Sequence, residues 1–276
     1  MLFSDVSIHR VQHYWNARPC NVRHSAQPMS SGKYFDEVEA RKYLVEPHIP
    51  AFADFARWRG KKVLEIGCGI GTDTINFARH GADVTTVDLS DKSMAMARQR
   101  ADVFGLGDRI RFCPGNAEEL ASFVPIEPYD LIYSFGVIHH TPHPDAILHQ
   151  LMQYTHPGTT IKIMVYYKWS WKVAWILATE GLGKFRRLDD LVARSSGAQT
   201  GCPITYTYSR SSGKALLQRH GFKVTKVEVD HIFPYRIRDY VQYPYVREPY
   251  FAWMPPPMFR ALEKRIGWHL LLTAEA

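Results

Sequence analysis

Cysteine is scarce: Cys20, Cys68, Cys113 and Cys202 lie far apart in 276 residues and form no C-x-x-C pair. That spacing argues against a disulfide framework or a cysteine-built zinc site, and fits a reducing compartment. Long apolar runs are missing too. No window approaches the roughly 18 uncharged apolar residues of a spanning helix, so no membrane insertion is expected. The opening MLFSDVSIHR lacks the basic-then-apolar build of a signal peptide, which makes the cytoplasm the expected compartment. Charge of one sign is not concentrated. Lys and Arg number 34 against 27 Asp and Glu, net +7, but basic residues come in runs no longer than two, such as Lys61-Lys62 and Arg186-Arg187. This pattern reads as a solvated surface rather than a nucleic-acid stripe. There is no internal repeat and no low-complexity tract.

What is present is an ordinary globular composition, 46% hydrophobic and 22% charged. A chain of this length buries roughly three quarters of its unfolded surface and needs no staple to hold a core. The first 60 residues read as helices and loops: a helix capped by Ser4 and running to about Trp15, a polar loop, then helical segments over 35–45 and 50–58 separated by Pro47 and Pro50. From Lys61 the grammar changes to short apolar runs alternating with amphipathic segments. KKVLEI, ADVTTVDL, RIRFCPG, YDLIYSFG, TTIKIMVYY, FKVTKVEVDHI and GWHLLLTAEA read as seven strands. Strands alternating with helices imply a parallel sheet covered on both faces. Two stretches interrupt it, about 168–208 and 232–266. The first reads as helices over 170–182 and 184–194 followed by loop to 208, the second as a Pro- and Tyr-rich passage with a helix around 256–266. The expected division is an N-terminal helical segment over 1–59 and an α/β domain over 60–276 carrying two cap insertions.

The informative segment is Val63-Leu-Glu-Ile-Gly-Cys-Gly-Ile-Gly71. A glycine-rich turn between strand and helix lets backbone approach a ligand closely. The pattern is G-x-G-x-G, and the third glycine of a dinucleotide fingerprint would fall at Thr72. Glu65 at the strand end would face the negative charge of a pyrophosphate; it suits a cation such as an ammonium or sulfonium. The ligand that joins adenosine to those cations without phosphate is S-adenosylmethionine. Asp88 ends the second strand, where a carboxylate can accept from both ribose hydroxyls. Asn116, just beyond the third strand, can bond the adenine edge.

On these residues the chain resembles class I S-adenosylmethionine-dependent methyltransferases, in particular the small-molecule branch of the ubiquinone/menaquinone-biosynthesis type. The resemblance rests on VLEIGCGIGTDTINFARHGADVTTVDLS, GNAEEL and YDLIYSFGVIHHTPHPD. It covers about residues 60–167, with weaker matches over 205–230 and 268–276. It implies a Rossmann-like, seven-stranded, mostly parallel sheet whose last strand is antiparallel. It also implies that Glu65, Gly67, Gly69, Asp88, Leu89, Asn116 and Ala117 line the cofactor site; Cys68 and Gly71 within the turn and Ser134 at the end of the fourth strand complete the candidate set. Two departures stand out: position 116 is more often Asp in the family, and the usual LPF is replaced by Leu120-Ala-Ser-Phe123. The lead-in YWNARPCNVRHS and GKYFDEVEARKY resemble a bacterial subset of uncharacterised relatives.

Methyl transfer is an in-line displacement at a sulfonium, so alignment and exclusion of water carry most of the catalysis. A base is needed only where the acceptor arrives protonated. His139 and His140, after the fourth strand, are the candidate bases. With His143 they precede two prolines and have no carboxylate cluster beside them, so no metal is expected there, and none is expected elsewhere in the chain. Tyr14 is the third candidate catalytic residue; with Trp15 it ends the first helix, which would fold over the cofactor as a lid, and Arg18 follows in the loop. Tyr34, Tyr166, Tyr167 and Arg236 are the candidate acceptor contacts, with Arg238 and Arg247 in the same segment. The reading is methyl transfer to a small-molecule acceptor, yielding S-adenosylhomocysteine. The alternatives are a nucleic-acid methyltransferase, for which the loop after the fourth strand reads Ser134-Phe-Gly-Val rather than Asn/Asp-Pro-Pro-aromatic, and a non-catalytic binding module.

Overall fold

In the computed structural model the described residues are 3–29, 31–181, 188–195 and 201–276. Every apolar run singled out above forms a strand: β1 (Lys62–Ile66), β2 (Asp83–Asp88), β3 (Ile110–Pro114), β4 (Leu131–Phe135) and β5 (Thr160–Tyr167) come first. The short β6 (Thr207–Tyr208), then β7 (Lys223–Asp230) and β8 (His269–Glu275), complete the sheet. Their order is β3-β2-β1-β4-β5-β8-β7, with β6 attached to β5. Among the described strands, β8 alone runs antiparallel to the rest of the sheet. The expected mostly parallel sheet with an antiparallel last strand is borne out, with one strand more than the seven expected. The extra strand arises because β5 outruns β4. Thr160–Met164 pair with β4, while Tyr166 and Tyr167 project beyond it and take Thr207 and Tyr208 as partners. A two-residue strand leaves no periodic trace, so those residues read as loop.

Side chains alternate across the sheet. Leu64, Ile66, Ile163, Leu270 and Leu272 enter one core, and Val63, Tyr133, Met164 and Leu271 the other. The second core is closed by Phe52, Phe55 and Trp58 from the N-terminal segment and by Phe77. Phe77 belongs to α4 (Thr72–Arg79), which follows the glycine turn.

The N-terminal segment departs from expectation in detail. Ser4 is not a helix cap: its hydroxyl donates to Asp5. Helix α1 (Ile8–Ala17) is capped instead by Ser7, whose Oγ accepts from His9 N at 3.3 Å. Helix α2 (Gly32–Val45) begins three residues early because Ser31 Oγ accepts from Tyr34 N. Helix α3 (His48–Ala53) includes Pro50. In the first turn a proline removes an N–H that has no helical partner anyway, so it does not break the helix.

In the first insertion, helical residues run Trp171–Gly181 and Leu188–Arg194. The rest of the helix expected over 170–182, the start of the one expected over 184–194, and positions 196–200 lie outside the described residues. The second insertion ends in a helix over Pro256–Ile266, as expected. No helix among the described residues is long and apolar enough to cross a membrane.

Candidate active site

The chain order reverses between β1 and β4, and the cleft opens there, at the carboxyl ends of the strands. The glycine turn is squeezed from two sides. Gly67 has φ +84°, and a Cβ on it would lie 2.0 Å from Val137 Cγ2. Gly71 has φ +76°, and its Cβ would sit 3.0 Å from Ala97 on α5 (Asp91–Val103). Beside Gly69, in contrast, an added Cβ would meet nothing within 4 Å. The loop is therefore packed from both flanks and open in the middle.

Asp88 holds that loop. Its Oδ2 accepts from Gly69 N and its Oδ1 from Ser90 N, both at 2.8 Å. Burial pushes its carboxyl up to about 6, against the pull of those backbone donors. Asp88, Leu89, Asn116 and Ala117 all line the cleft, as does Gly67. Asn116 Oδ1 accepts from Glu118 N at 3.1 Å and caps the turn of helix over Ala117–Ser122.

Glu65, Cys68 and Ser134 lie under the loop instead. Glu65 is 2% exposed, and its Oε2 accepts from the hydroxyls of Thr74 and, at 3.1 Å, Thr86. Burial, reinforced by the charge of Asp73, pushes its carboxyl up to about 7. Cys68 packs against Met94 and Ala97, and burial drives its thiol well above the ordinary range. The Ser134 hydroxyl donates to Ile66 O at 3.2 Å.

Helix α1 forms one wall. Ile8, Val11 and Trp15 face the cleft, at the three- and four-residue spacing that puts them on one helical face. The helix is fastened by Gln12 Nε2, which donates to Leu89 O at 3.1 Å, and by Asn16 Oδ1, which accepts from Ser90 Oγ at 2.8 Å. Tyr14 is buried beside Trp15, under the Arg18 guanidinium.

The two histidines divide. His140 lines the cleft, 5.3 Å edge-on from Trp15. Its Nδ1 lies 2.7 Å from Ile204 O; a carbonyl only accepts, so the proton is on Nδ1 and the lone pair on Nε2. Burial lowers its pKa to about 4, so the ring is neutral at pH 7. His139 is fully buried, its ring tilted against Tyr166 at 3.9 Å, with neither ring nitrogen hydrogen-bonded among the described residues. Burial, and then His140, drive its pKa well below the ordinary value.

The four candidate acceptor contacts are not brought together. Tyr166 and Tyr167 point to opposite faces: Tyr166 meets His139 and Trp268, while Tyr167 enters the main core. Tyr34 is fully buried, its hydroxyl donating to Val22 O at 2.9 Å. Arg236 and Arg238 are exposed. Arg247 lines a separate cavity of about 380 Å³ between Val45 and Pro47 on one side and Ile232 and Phe259 on the other.

Sequence reasoning missed a second cluster. Glu46, His48, His231 and His269 come from the end of α2, the start of α3, the end of β7 and the start of β8, and meet beside Tyr166. Nothing in their spacing announces this. Only the sheet order, which sets Asp230 opposite His269, brings them together.

Comparison with known proteins places this geometry. Residues 38–227 match the methyltransferase domain family. The chain belongs to that family. The resemblance to class I S-adenosylmethionine-dependent methyltransferases is thereby borne out. A ubiquinone biosynthesis O-methyltransferase of Photorhabdus laumondii is 31% identical over 122 residues, 44% of this chain and 49% of that relative. The chain thus spans about half the length of the relative it matches. Among solved structures, the magnesium protoporphyrin IX methyltransferase of Synechocystis PCC 6803 with bound SAH superposes with TM-score 0.57 and 17% identity, covering 98% of this chain and 99% of that one. The geranyl diphosphate C-methyltransferase of Streptomyces coelicolor A3(2) gives 0.59 and 14%, covering 97% of each. At these identities the likeness is one of fold.

Proposed function

We propose that this methyltransferase-family chain transfers the methyl group of S-adenosylmethionine to a small-molecule acceptor and leaves S-adenosylhomocysteine. The observation that carries the reading is the charge of the cleft. Asp88 is its one carboxylate, and no lysine or arginine lines it among the described residues. A diphosphate there would meet an acid and no cation; an uncharged adenosine joined to a sulfonium meets no such penalty.

Each residue then has a task. Asp88 has lone pairs left after binding Gly69 and Ser90, and these receive the ribose hydroxyls. Asn116 spends its carbonyl on Glu118 N, which leaves its amide to donate to an adenine ring nitrogen. Gly69 gives the open side on which the methionyl part lies. Glu65, Cys68 and Ser134 act from beneath, by fixing the loop. Helix α1 serves as the lid, with Trp15 covering the cleft. The insertions over 168–208 and 232–266 supply the acceptor's surroundings, together with Tyr166 at the end of β5, 5.4 Å from His140.

When bound, the cofactor supplies an electrophilic methyl. The protein's part is alignment, which in model systems is worth about 7–11 kcal/mol, together with exclusion of water by α1. Where the acceptor is a hydroxyl, His140 Nε2 accepts its proton; His139 is walled off by its neighbours. The cytoplasm is the proposed compartment, supported by four unpaired cysteines.

The test needs no prior guess at the acceptor. S-adenosylmethionine at a hundredfold excess over Kd should stabilise by about 2.7 kcal/mol, a rise of roughly 5–10 °C in Tm. A metabolite library is then screened on protein loaded with S-adenosylhomocysteine, and hits are assayed for turnover. No shift with the cofactor overturns the reading. Binding without turnover on any stabilising compound favours a non-catalytic module, and a salt-dependent gel shift with tRNA or DNA favours a nucleic-acid acceptor.

A further inference from the structure

We propose that Glu46, His231 and His269 form a binding site for a divalent first-row transition-metal ion of the Zn²⁺ type, one aromatic ring away from the cofactor cleft. One ligand atom from each of the three lies within 4.8 Å of the others. A tetrahedral ion with bonds of about 2.1 Å holds its ligands roughly 3.4 Å apart, so small side-chain rotations close the set. His269 Nε2 already faces Glu46 Oε1 at 3.7 Å.

Three further observations point to a ligand. His231 is 6% exposed, and its Nδ1 is buried without a hydrogen-bond partner among the described residues. A buried polar atom of that kind calls for an explanation such as an unseen ion. His48 Nε2 lies 2.9 Å from His269 Nδ1. With His269 Nδ1–H donating there, Nε2 keeps its lone pair for a metal, the orienting role that outer partners play around metal-bound imidazoles. His231 also has φ +72°, a strained left-handed backbone that is uncommon outside glycine and clusters at functional positions. The neighbouring Asp230 does not compete as a ligand, because Arg260 and Lys264 occupy its oxygens at 3.2 and 2.6 Å.

The donor set selects the ion. Two imidazoles and one carboxylate suit zinc, iron, cobalt or nickel, whereas magnesium and calcium favour all-oxygen cages. Three protein ligands leave a coordination position open. The Tyr166 ring stands between the two sites, 6.2 Å from His269 and 5.4 Å from His140. The cluster thus lies one ring from His140 at the cleft, on the side where the acceptor would sit, the one clause that rests on the methyltransferase reading.

The experiment uses the full chain, stripped with chelator and titrated with Co²⁺ and then Zn²⁺. Wild type should take up one Co²⁺ with visible d–d absorption, and Zn²⁺ should bleach it. Glu46→Gln and His231→Gln should each weaken binding at least about tenfold, the scale seen even for outer partners. His149→Gln, at an exposed surface histidine, should change nothing. Glu46 is partly exposed, so E46Q leaves the histidine stack intact should H231Q fold poorly. No Co²⁺ or Zn²⁺ uptake by wild type, or uptake equal in E46Q and wild type, overturns the site. Calorimetry with S-adenosylmethionine on the same samples reports the cofactor cleft separately.

Discussion

Asp88→Ala is the sharpest perturbation of the cofactor site. The carboxylate holds the glycine loop through Gly69 N and the next turn through Ser90 N, and it faces the cleft. Two ribose hydroxyls donating to a charged oxygen contribute about 1.5–3 kcal/mol each. Removing both predicts a loss of roughly 3–6 kcal/mol, or about 100-fold to 20,000-fold in Kd for S-adenosylmethionine. Asp88→Asn is the informative companion. Its carboxamide has one acceptor oxygen where two are in use, so its NH₂ must oppose either Gly69 N–H or Ser90 N–H. The near-isosteric change should therefore cost almost as much as alanine. The pH profile supplies a second signature. Burial raises the folded carboxyl from 3.8 to about 6, and the ribose hydroxyls need the ionised form. Affinity should be flat above about pH 7 and fall as pH drops through 6, approaching tenfold per unit. Calorimetry between pH 5 and 8 reads both effects, and circular dichroism of the cofactor-free variants reports whether the loop anchors alone unfold the protein. A D88A affinity within threefold of wild type, or an acid limb absent from the wild-type profile, refutes the assignment.

Two further perturbations test the loop itself. Gly67→Ala should destabilise the protein by about 2–4 kcal/mol, from the left-handed φ and the 2.0 Å approach to Val137; adding Val137→Ala removes both methyls but leaves Val137 Cβ at 2.9 Å, so it should return only part of that loss, and simple additivity in urea unfolding would show that the overlap is not real. For Glu65, whose folded pKa of about 7 lies above the ordinary 4.5 because of burial and then Asp73, stability is full below pH 4.5 and lost as pH rises to 7. Glu65→Gln should thus gain on wild type across that window by up to about 3 kcal/mol, and a difference that does not change between pH 5 and 8 contradicts the buried charge.

How much of this could be read beforehand depended on the range of the interaction. Strands β1 to β5, β7 and β8 announced themselves because an apolar run between turn residues is a local signal. The glycine turn did so because only glycine tolerates Val137 and Ala97 on its flanks. Partners of side chains were less legible. Glu65 read as a carboxylate facing the ligand's cation; its partners are Thr74 and Thr86, nine and twenty-one residues on, and no spacing rule connects them. Tyr34 read as a contact and is a core side chain, since a helix position in the sequence carries no mark of which neighbour will cover it. The first cap came out as Ser7 rather than Ser4 for the same reason: both precede helix-compatible residues, and the choice follows from where Ile8, Val11 and Trp15 must point to meet the cleft.

The histidines make the strongest case. Adjacent His139 and His140 drew the eye as a pair, yet the fold separates their surroundings: one lone pair opens on the cleft and the other ring is sealed. His48, His231 and His269, more than 30 residues from one another, had no mutual signal at all and nevertheless pack within ring contact. An antiparallel β8 inserted between β5 and β7 is what sets His269 beside Tyr166 on one side and Asp230 on the other. That late strand fixes the cluster's position relative to the cleft, so this part of the molecule is written in its topology more than in any motif.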